Sequence, residues 1–218
     1  MTTAERLAAL PLKSRTPLAW ARAVLADPLA LLNDHAFLEK KAANNAMELM
    51  TYWPTEWQPG WVETMTGIAR DEAAHLSQVT RILIKRGGRL SRTHKNPYAN
   101  ELRLLVRKGQ EGMLIDRLFV SALIEARSCE RFAVLAEGAA MAGDTELALF
   151  YKALFSSELG HYKVFLRLAQ RVSGRKAAQE RWQEMLTLEA GILAGQPVGP
   201  RIHSGIPTEN NPFADPLP

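Results

Sequence analysis

The sequence has one cysteine, Cys129. A single thiol makes no disulfide framework and no Cys-rich zinc or iron–sulfur site. Aromatic residues are scarce at 7%, and Val and Ile are few beside Leu and Ala. That balance disfavours sheet and favours helix. Long hydrophobic runs are missing too. No stretch approaches the roughly 18 uninterrupted apolar residues of a membrane span, and segments such as Leu29–Leu32 are soon broken by charge. Met1–Arg15 carries Glu5 and lacks the apolar run and small-residue cleavage site of a secretory signal. The expectation is a soluble, cytoplasmic protein with no membrane association. Neither sign of charge dominates: 27 Lys and Arg stand against 23 Asp and Glu, a balance that permits a polyanionic partner without demanding one.

What is present is helical periodicity. Apolar residues make up 47% of the chain, enough for a core. Leu29, Leu32, Ala36, Ala43, Ala46 and Met50 step by threes and fours along one helix face, which Pro54 and Pro59 end. Trp61, Met65, Ile68, Val79 and Ile82 form a second stripe, closed by Gly87-Gly88. Residues 88–110 read as a long basic connection with one short helix over Ala99–Arg107. A third stripe runs through Leu114, Leu118, Ala122, Cys129, Phe132 and Ala136. After a turn at Gly143-Asp144, with Asp144 as N-cap, comes a fourth: Leu147, Tyr151, Leu154, Phe165, Leu168 and Val172. The spacing predicts a single all-α domain over 1–218: a four-helix bundle at about 28–174 with a long central crossover, an extra C-terminal helix at about 175–194, and an irregular, proline-rich tail at 195–218.

Each stripe is interrupted at its centre by an ionisable residue. Glu39 fills the gap between Ala36 and Ala43, and Glu125 the gap between Ala122 and Cys129. Glu72 and His75 carry the second stripe from Ile68 to Val79; Glu158 and His161 carry the fourth from Leu154 to Phe165. Four carboxylates and two imidazoles therefore point at the core. One unpartnered buried charge costs several kcal/mol, so four exceed what a domain stable by on the order of 10 kcal/mol tolerates. No Lys or Arg sits on these stripes near the glutamates, which leaves protonation or bound cations. Two divalent ions balance four carboxylates, and oxygen with imidazole nitrogen suits iron or manganese. Glu72-Ala-Ala-His75 and Glu158-Leu-Gly-His161 are both Glu-x-x-His, one turn apart on one face. Glu39 to Glu72 and Glu125 to Glu158 are both 33 residues. One helical hairpin thus occurs twice, each giving a lone Glu and a Glu-x-x-His, the ligand pattern of di-iron carboxylate bundles. Glu72 and Glu158 are the natural bridging carboxylates, since each shares its turn with a histidine.

Around these six, Asp71 either orients a ligand histidine, with His161 the best candidate, or forms a salt bridge with Arg70. His35, one turn before Glu39, reads as a residue behind the ligands or on the substrate side. Arg127 and Glu130 read as an ion-pair network, His94 and His203 as surface residues, and Gly160 as room for close helix packing, ahead of room for a ligand on the metals. A single cysteine excludes a peroxide-reducing protein with an added four-cysteine iron site. A radical-storing subunit needs a tyrosine near the metals, and the positions one turn beyond the ligand histidines are Val79 and Phe165, leaving only the distant Tyr151. Oxygen activation for insertion into an organic substrate remains. Lys85, Arg86, Arg89, Arg92, His94, Lys95, Arg103, Arg107 and Lys108 crowd the central connection. A basic rim over a buried oxidising site fits a nucleic-acid substrate with an inserted base, although cations also favour helix C-termini for dipole reasons.

The segments His35-Ala-Phe-Leu-Glu-Lys-Lys-Ala-Ala-Asn-Asn-Ala-Met47, Ala69-Arg-Asp-Glu-Ala-Ala-His75, Ile124-Glu-Ala-Arg-Ser-Cys-Glu-Arg-Phe132 and Ser157-Glu-Leu-Gly-His-Tyr162 resemble the MiaE family of bacterial tRNA 2-methylthio-isopentenyl-adenosine hydroxylases, over about residues 10–205. The resemblance implies a ferritin-like fold, a non-haem di-iron centre held by Glu39, Glu72, His75, Glu125, Glu158 and His161, and oxygen-dependent hydroxylation of the isopentenyl group on a tRNA adenosine. Electrons then come from a separate reductase, because no Gly-x-Gly-x-x-Gly fingerprint is present. Lys85, Arg86, Arg89, Arg92, Lys95, Arg103 and Arg107 are the candidate tRNA contacts. The alternatives are a di-iron oxygenase or oxidase acting on a small molecule, and a ferroxidase or iron-binding protein.

Overall fold

The computed structural model describes residues 3–207 of the chain. Among them are eight helices and no strand. The chain divides into two compact units: Asp27–Lys95, and the segments on either side of it.

The unit Asp27–Lys95 is a helical hairpin, α3 (Pro28–Leu49) and α4 (Trp61–Lys85). Asp27 caps α3 by accepting from the Ala30 amide at 3.0 Å, and Pro28 stands in the first turn, where its missing N–H is no loss. At the far end the buried Trp61 indole donates to the Leu49 carbonyl at 3.0 Å, which ties the start of α4 to the last turn of α3. The predicted stripe of α4 is buried through Trp61, Met65, Ile68 and Val79, but it ends on Leu83 and not Ile82. In α3, Leu29 is more than a third exposed, and Leu31 and Leu49 take core places instead.

The other unit contains α1 (Thr3–Ala8), α2 (Leu18–Val24), α5 (Pro97–Leu104), α6 (Gln110–Met141), α7 (Thr145–Ser173) and α8 (Arg175–Ala194). The short helix begins at Pro97, capped by Asn96, and stops at Leu104, earlier at both ends than its propensity suggests. Asp144 caps α7 through the Leu147 amide at 3.1 Å, and Gly143 takes the left-handed φ of +79° that the tight α6–α7 turn needs. Helix α6 packs chiefly on α7 and also meets α1, α2, α5 and α8. It is therefore buried on faces well away from its apolar stripe. Gly138 is what lets α2 approach: a Cβ there would lie 2.8 Å from that of Ala21.

The extra faces of α6 carry a buried polar network. Arg127 makes a two-pronged bond to Glu189 of α8 (2.9 and 3.0 Å) and reaches Glu130 at 3.1 Å. Glu130 also accepts from the Thr16 amide and hydroxyl (2.6 and 2.7 Å), and the Tyr98 hydroxyl donates to Glu189 at 2.9 Å. The expected ion-pair role of Arg127 and Glu130 therefore holds. Arg131 lies 3.9 Å over the Trp20 ring and donates to the Ser204 carbonyl at 3.1 Å. Ser204 accepts from the Trp20 indole, and Ser128 bonds His203. The start of the tail, through Ser204, is thus strapped to α6; residues 208–218 lie outside the described residues. Two expectations need correction. His203 is buried, not on the surface, because the tail folds it against Tyr98 at 4.6 Å between ring centres. Gly160 does not mark close packing: nothing lies within 4 Å of a Cβ there, and it borders a cavity of about 520 Å³ beside Leu10 and Leu159.

Candidate metal centre

In the α3–α4 hairpin, antiparallel packing brings the middle of α3 against the middle of α4. Glu39, Glu72 and His75 meet there, all buried. Each offers a ligand atom within 4.8 Å of the others. His75 Nδ1 stands 3.5 Å from Glu39 Oε2 and 3.6 Å from Glu72 Oε2. Behind them the fully buried His35 ring bonds Glu39 Oε1 through Nε2. His35 thus fixes one carboxylate oxygen while the other faces His75, a position behind the ligand set.

The α6–α7 hairpin repeats the construction. Glu125 from α6, with Glu158 and His161 from α7, offer ligand atoms within 4.8 Å of one another. All three are buried, and His161 Nδ1 lies 3.2 Å from Glu158 Oε2. Cys129, one turn beyond Glu125, donates its Sγ to the Phe155 carbonyl at 3.3 Å. Burial, with Glu158 and Glu130 nearby, pushes its thiol up. It is a neutral core thiol and not a thiolate ligand. Tyr151 is buried among Phe150 and Phe132, with ring centres at 5.2 and 5.5 Å.

Each hairpin therefore assembles two carboxylates and one imidazole in a buried place, a donor set of hard oxygens with a borderline nitrogen. One divalent cation balances the two carboxylates of each triad, and iron or manganese suits the ligand types.

Asp71, whose side chain is 43% exposed, pairs with Arg70 at 3.1 Å, the salt bridge expected for it. Of the basic residues, Lys85, Arg89, Arg92, Lys95 and Arg103 are exposed, and Arg86 is partly covered. Arg107 is exposed as well, and it has a partner. Its guanidinium grips the buried Asp116 at 2.8 and 2.9 Å, and Arg181 grips the same carboxylate from α8. His94 is no plain surface residue, since its side chain is only 7% exposed and bonds Asp34. Sequence reasoning also missed Glu189. It falls on the buried stripe Trp182, Met185, Leu186, Leu193 of α8, the same signal of a charge inside an apolar stripe that revealed the glutamates.

Residues 4–204 match the family model described as tRNA-(MS[2]IO[6]A)-hydroxylase (MiaE). The chain is 40% identical over 193 residues to the tRNA 2-(methylsulfanyl)-N(6)-isopentenyladenosine(37) hydroxylase of Pseudomonas putida, covering 88% of this chain and 91% of that relative. It is 33% identical over 174 residues to the hydroxylase of the same name from Salmonella typhimurium, where 80% of this chain matches 62% of a longer relative. Among solved structures it is similar to a Synechococcus protein with aldehyde deformylating oxygenase activity, with a TM-score of 0.81 and 33% identity over 89% of this chain and 96% of that one. The all-α class read from the stripes holds, and so does the ferritin-like fold that the resemblance implied.

Proposed function

Because this chain belongs to the MiaE family, we propose that it hydroxylates the isopentenyl group of 2-methylthio-isopentenyl-adenosine in tRNA, using dioxygen and electrons from a separate reductase. The observation that carries this reading is the pair of buried triads, one per hairpin, within a chain that matches a tRNA hydroxylase family from residue 4 to 204. In this reading the triads join in one dinuclear centre. Glu39, Glu72, His75, Glu125, Glu158 and His161 would hold two irons. The equal 33-residue spacing supports it, because it makes the two hairpins equivalent ligand donors.

Bound iron supplies the redox chemistry that activates dioxygen. The chain's own residues supply the rest. The glutamates provide the negative charge that retains the cations in a dry core. His35 holds Glu39 in one orientation. On the helices that carry the candidate ligands, the residues one turn away are buried and apolar, Val79 after His75 and Leu154 before Glu158, and keep water out. The overall change inserts one oxygen atom into a C–H bond; the second leaves as water with two electrons and two protons from outside. No helix among the described residues is long and apolar enough to cross a membrane, and cytoplasmic tRNA is the fitting substrate pool.

The test is reconstitution. The protein, loaded with ferrous iron without air, is given dioxygen, a reductant and tRNA carrying the isopentenylated adenosine, and the RNA is digested for mass spectrometry. The reading predicts a nucleoside heavier by one oxygen. Ferric mineral with unchanged nucleoside would instead identify a ferroxidase. Turnover of a small molecule, insensitive to salt, would identify the small-molecule oxygenase, since tRNA binding weakens steeply with salt.

A further inference from the structure

We infer that His94 is a positioning residue for tRNA: it clasps the basic connection after α4 to the helix that carries Glu39. The inference rests on the hydroxylase reading and adds to it the device that presents the phosphate-binding cations.

After Lys85 the chain turns through Gly87, whose φ is +83°, and runs without helix to Asn96. Such a segment has no ladder of its own, so side chains must hold it. It is held on one helix. The Ser91 amide donates to Asn33 Oδ1 at 2.8 Å. His94 Nε2 is 2.7 Å from Asp34 Oδ1, and Lys41 Nζ is 2.9 Å from His94 Nδ1. The imidazole lies flat on Phe37, with ring centres 4.9 Å apart and planes within 6°. Asn33, Asp34, Phe37 and Lys41 are spaced by one, three and four along α3, so they form one side of that helix.

The chemistry fixes the ring. A lysine ammonium only donates, so Nδ1 accepts; Nε2 then carries the proton and donates to the acceptor-only carboxylate. The imidazole is bound on both edges and on one face. The residues beside it are the opposite in character. Arg92 lies between the two anchors, Lys95 follows the second and Arg89 precedes the first, and all three are exposed. A buried, three-way anchor amid exposed cations is the arrangement that removes the ordering entropy otherwise lost when a flexible loop grips phosphates. The same stretch of α3 includes His35 and leads directly to Glu39, so the phosphate-binding loop and the metal-bearing turn are fastened to one rigid piece.

The experiment uses the iron-loaded full-length protein and tRNA bearing 2-(methylsulfanyl)-N6-isopentenyladenosine at position 37. Binding at several salt concentrations, KM, kcat and iron per chain are measured for wild type, His94→Ala and His94→Gln. Glutamine reproduces the clasp, its amide N–H donating to Asp34 and its carbonyl accepting from Lys41. The expected result is a roughly tenfold higher Kd and KM for His94→Ala, a salt slope shallower by about two as Arg92 and Lys95 lose their places, unchanged kcat and iron, and recovery in His94→Gln. Wild-type binding by His94→Ala overturns the clasp. Joint loss of iron, kcat and binding also overturns it, in favour of a purely structural histidine. A wild-type protein that neither binds nor modifies this tRNA overturns the hydroxylase reading itself. Should His94→Ala fail to fold, Asn33→Ala releases only the Ser91 anchor: a raised Kd supports the proposal, and an unchanged one overturns it.

Discussion

Asp116 receives five N–H groups: the backbone amide and two guanidinium nitrogens of Arg107, and two of Arg181. Burial alone would raise its pKa, but the bonds from Arg107 and Arg181 outweigh that and hold the carboxyl below its usual 3.8. A carboxylate so held stabilises the fold fully above the ordinary value and loses that contribution as pH falls through the lower folded one. Asp116→Asn should lower stability at neutral pH, by about 3 kcal/mol on the scale of broken buried pairs, and should flatten the decline below about pH 4. Urea midpoints between pH 2 and 7 check both effects. Gly138→Ala is a second residue-scale case: a methyl 2.8 Å from the Ala21 Cβ should push α2 off α6 and cost about 1–3 kcal/mol in the same assay. The six candidate ligands were legible in the sequence because each is an ionisable residue inside an apolar stripe. Asp116 and His94 were not legible, because neither lies on such a stripe; their partners come from segments whose folding no local pattern announces.

At the scale of elements, the four long helices, the turn at Gly143-Asp144 and the extra helix Arg175–Ala194 follow from periodicity and caps. The central role of α6 does not. Its sequence shows one apolar stripe with Arg127, Glu130 and Arg131 off it, the signature of a half-exposed helix, yet all three are buried. The covering comes from α2, α8 and the tail, and helical periodicity says nothing about what packs on a second face. Arg127 is matched there by Glu189 and Glu130. Glu189→Ala should therefore cost about 3–5 kcal/mol by leaving Arg127 without its main partner. Replacing Arg127 and Glu189 together with Met and Leu should recover much of that loss. A double-mutant cycle in chemical denaturation measures the coupling.

For the whole molecule, the account is that two copies of one hairpin each contribute half of a metal centre. Glu125→Ala should then lower bound iron below the wild-type value of about two per chain, the count the twin-hairpin ligand pattern implies, while leaving helical content intact. Iron assay and circular dichroism on the same samples separate loss of ligand from loss of fold. The most direct measurement of the central claim follows the oxygen atom. Iron-loaded enzyme is reduced, mixed with tRNA carrying the isopentenylated adenosine and exposed to 18O-labelled dioxygen, and the modified nucleoside is weighed. The account predicts one labelled oxygen in the isopentenyl side chain of the product. An unchanged nucleoside, or a product whose added oxygen comes from water, would contradict it.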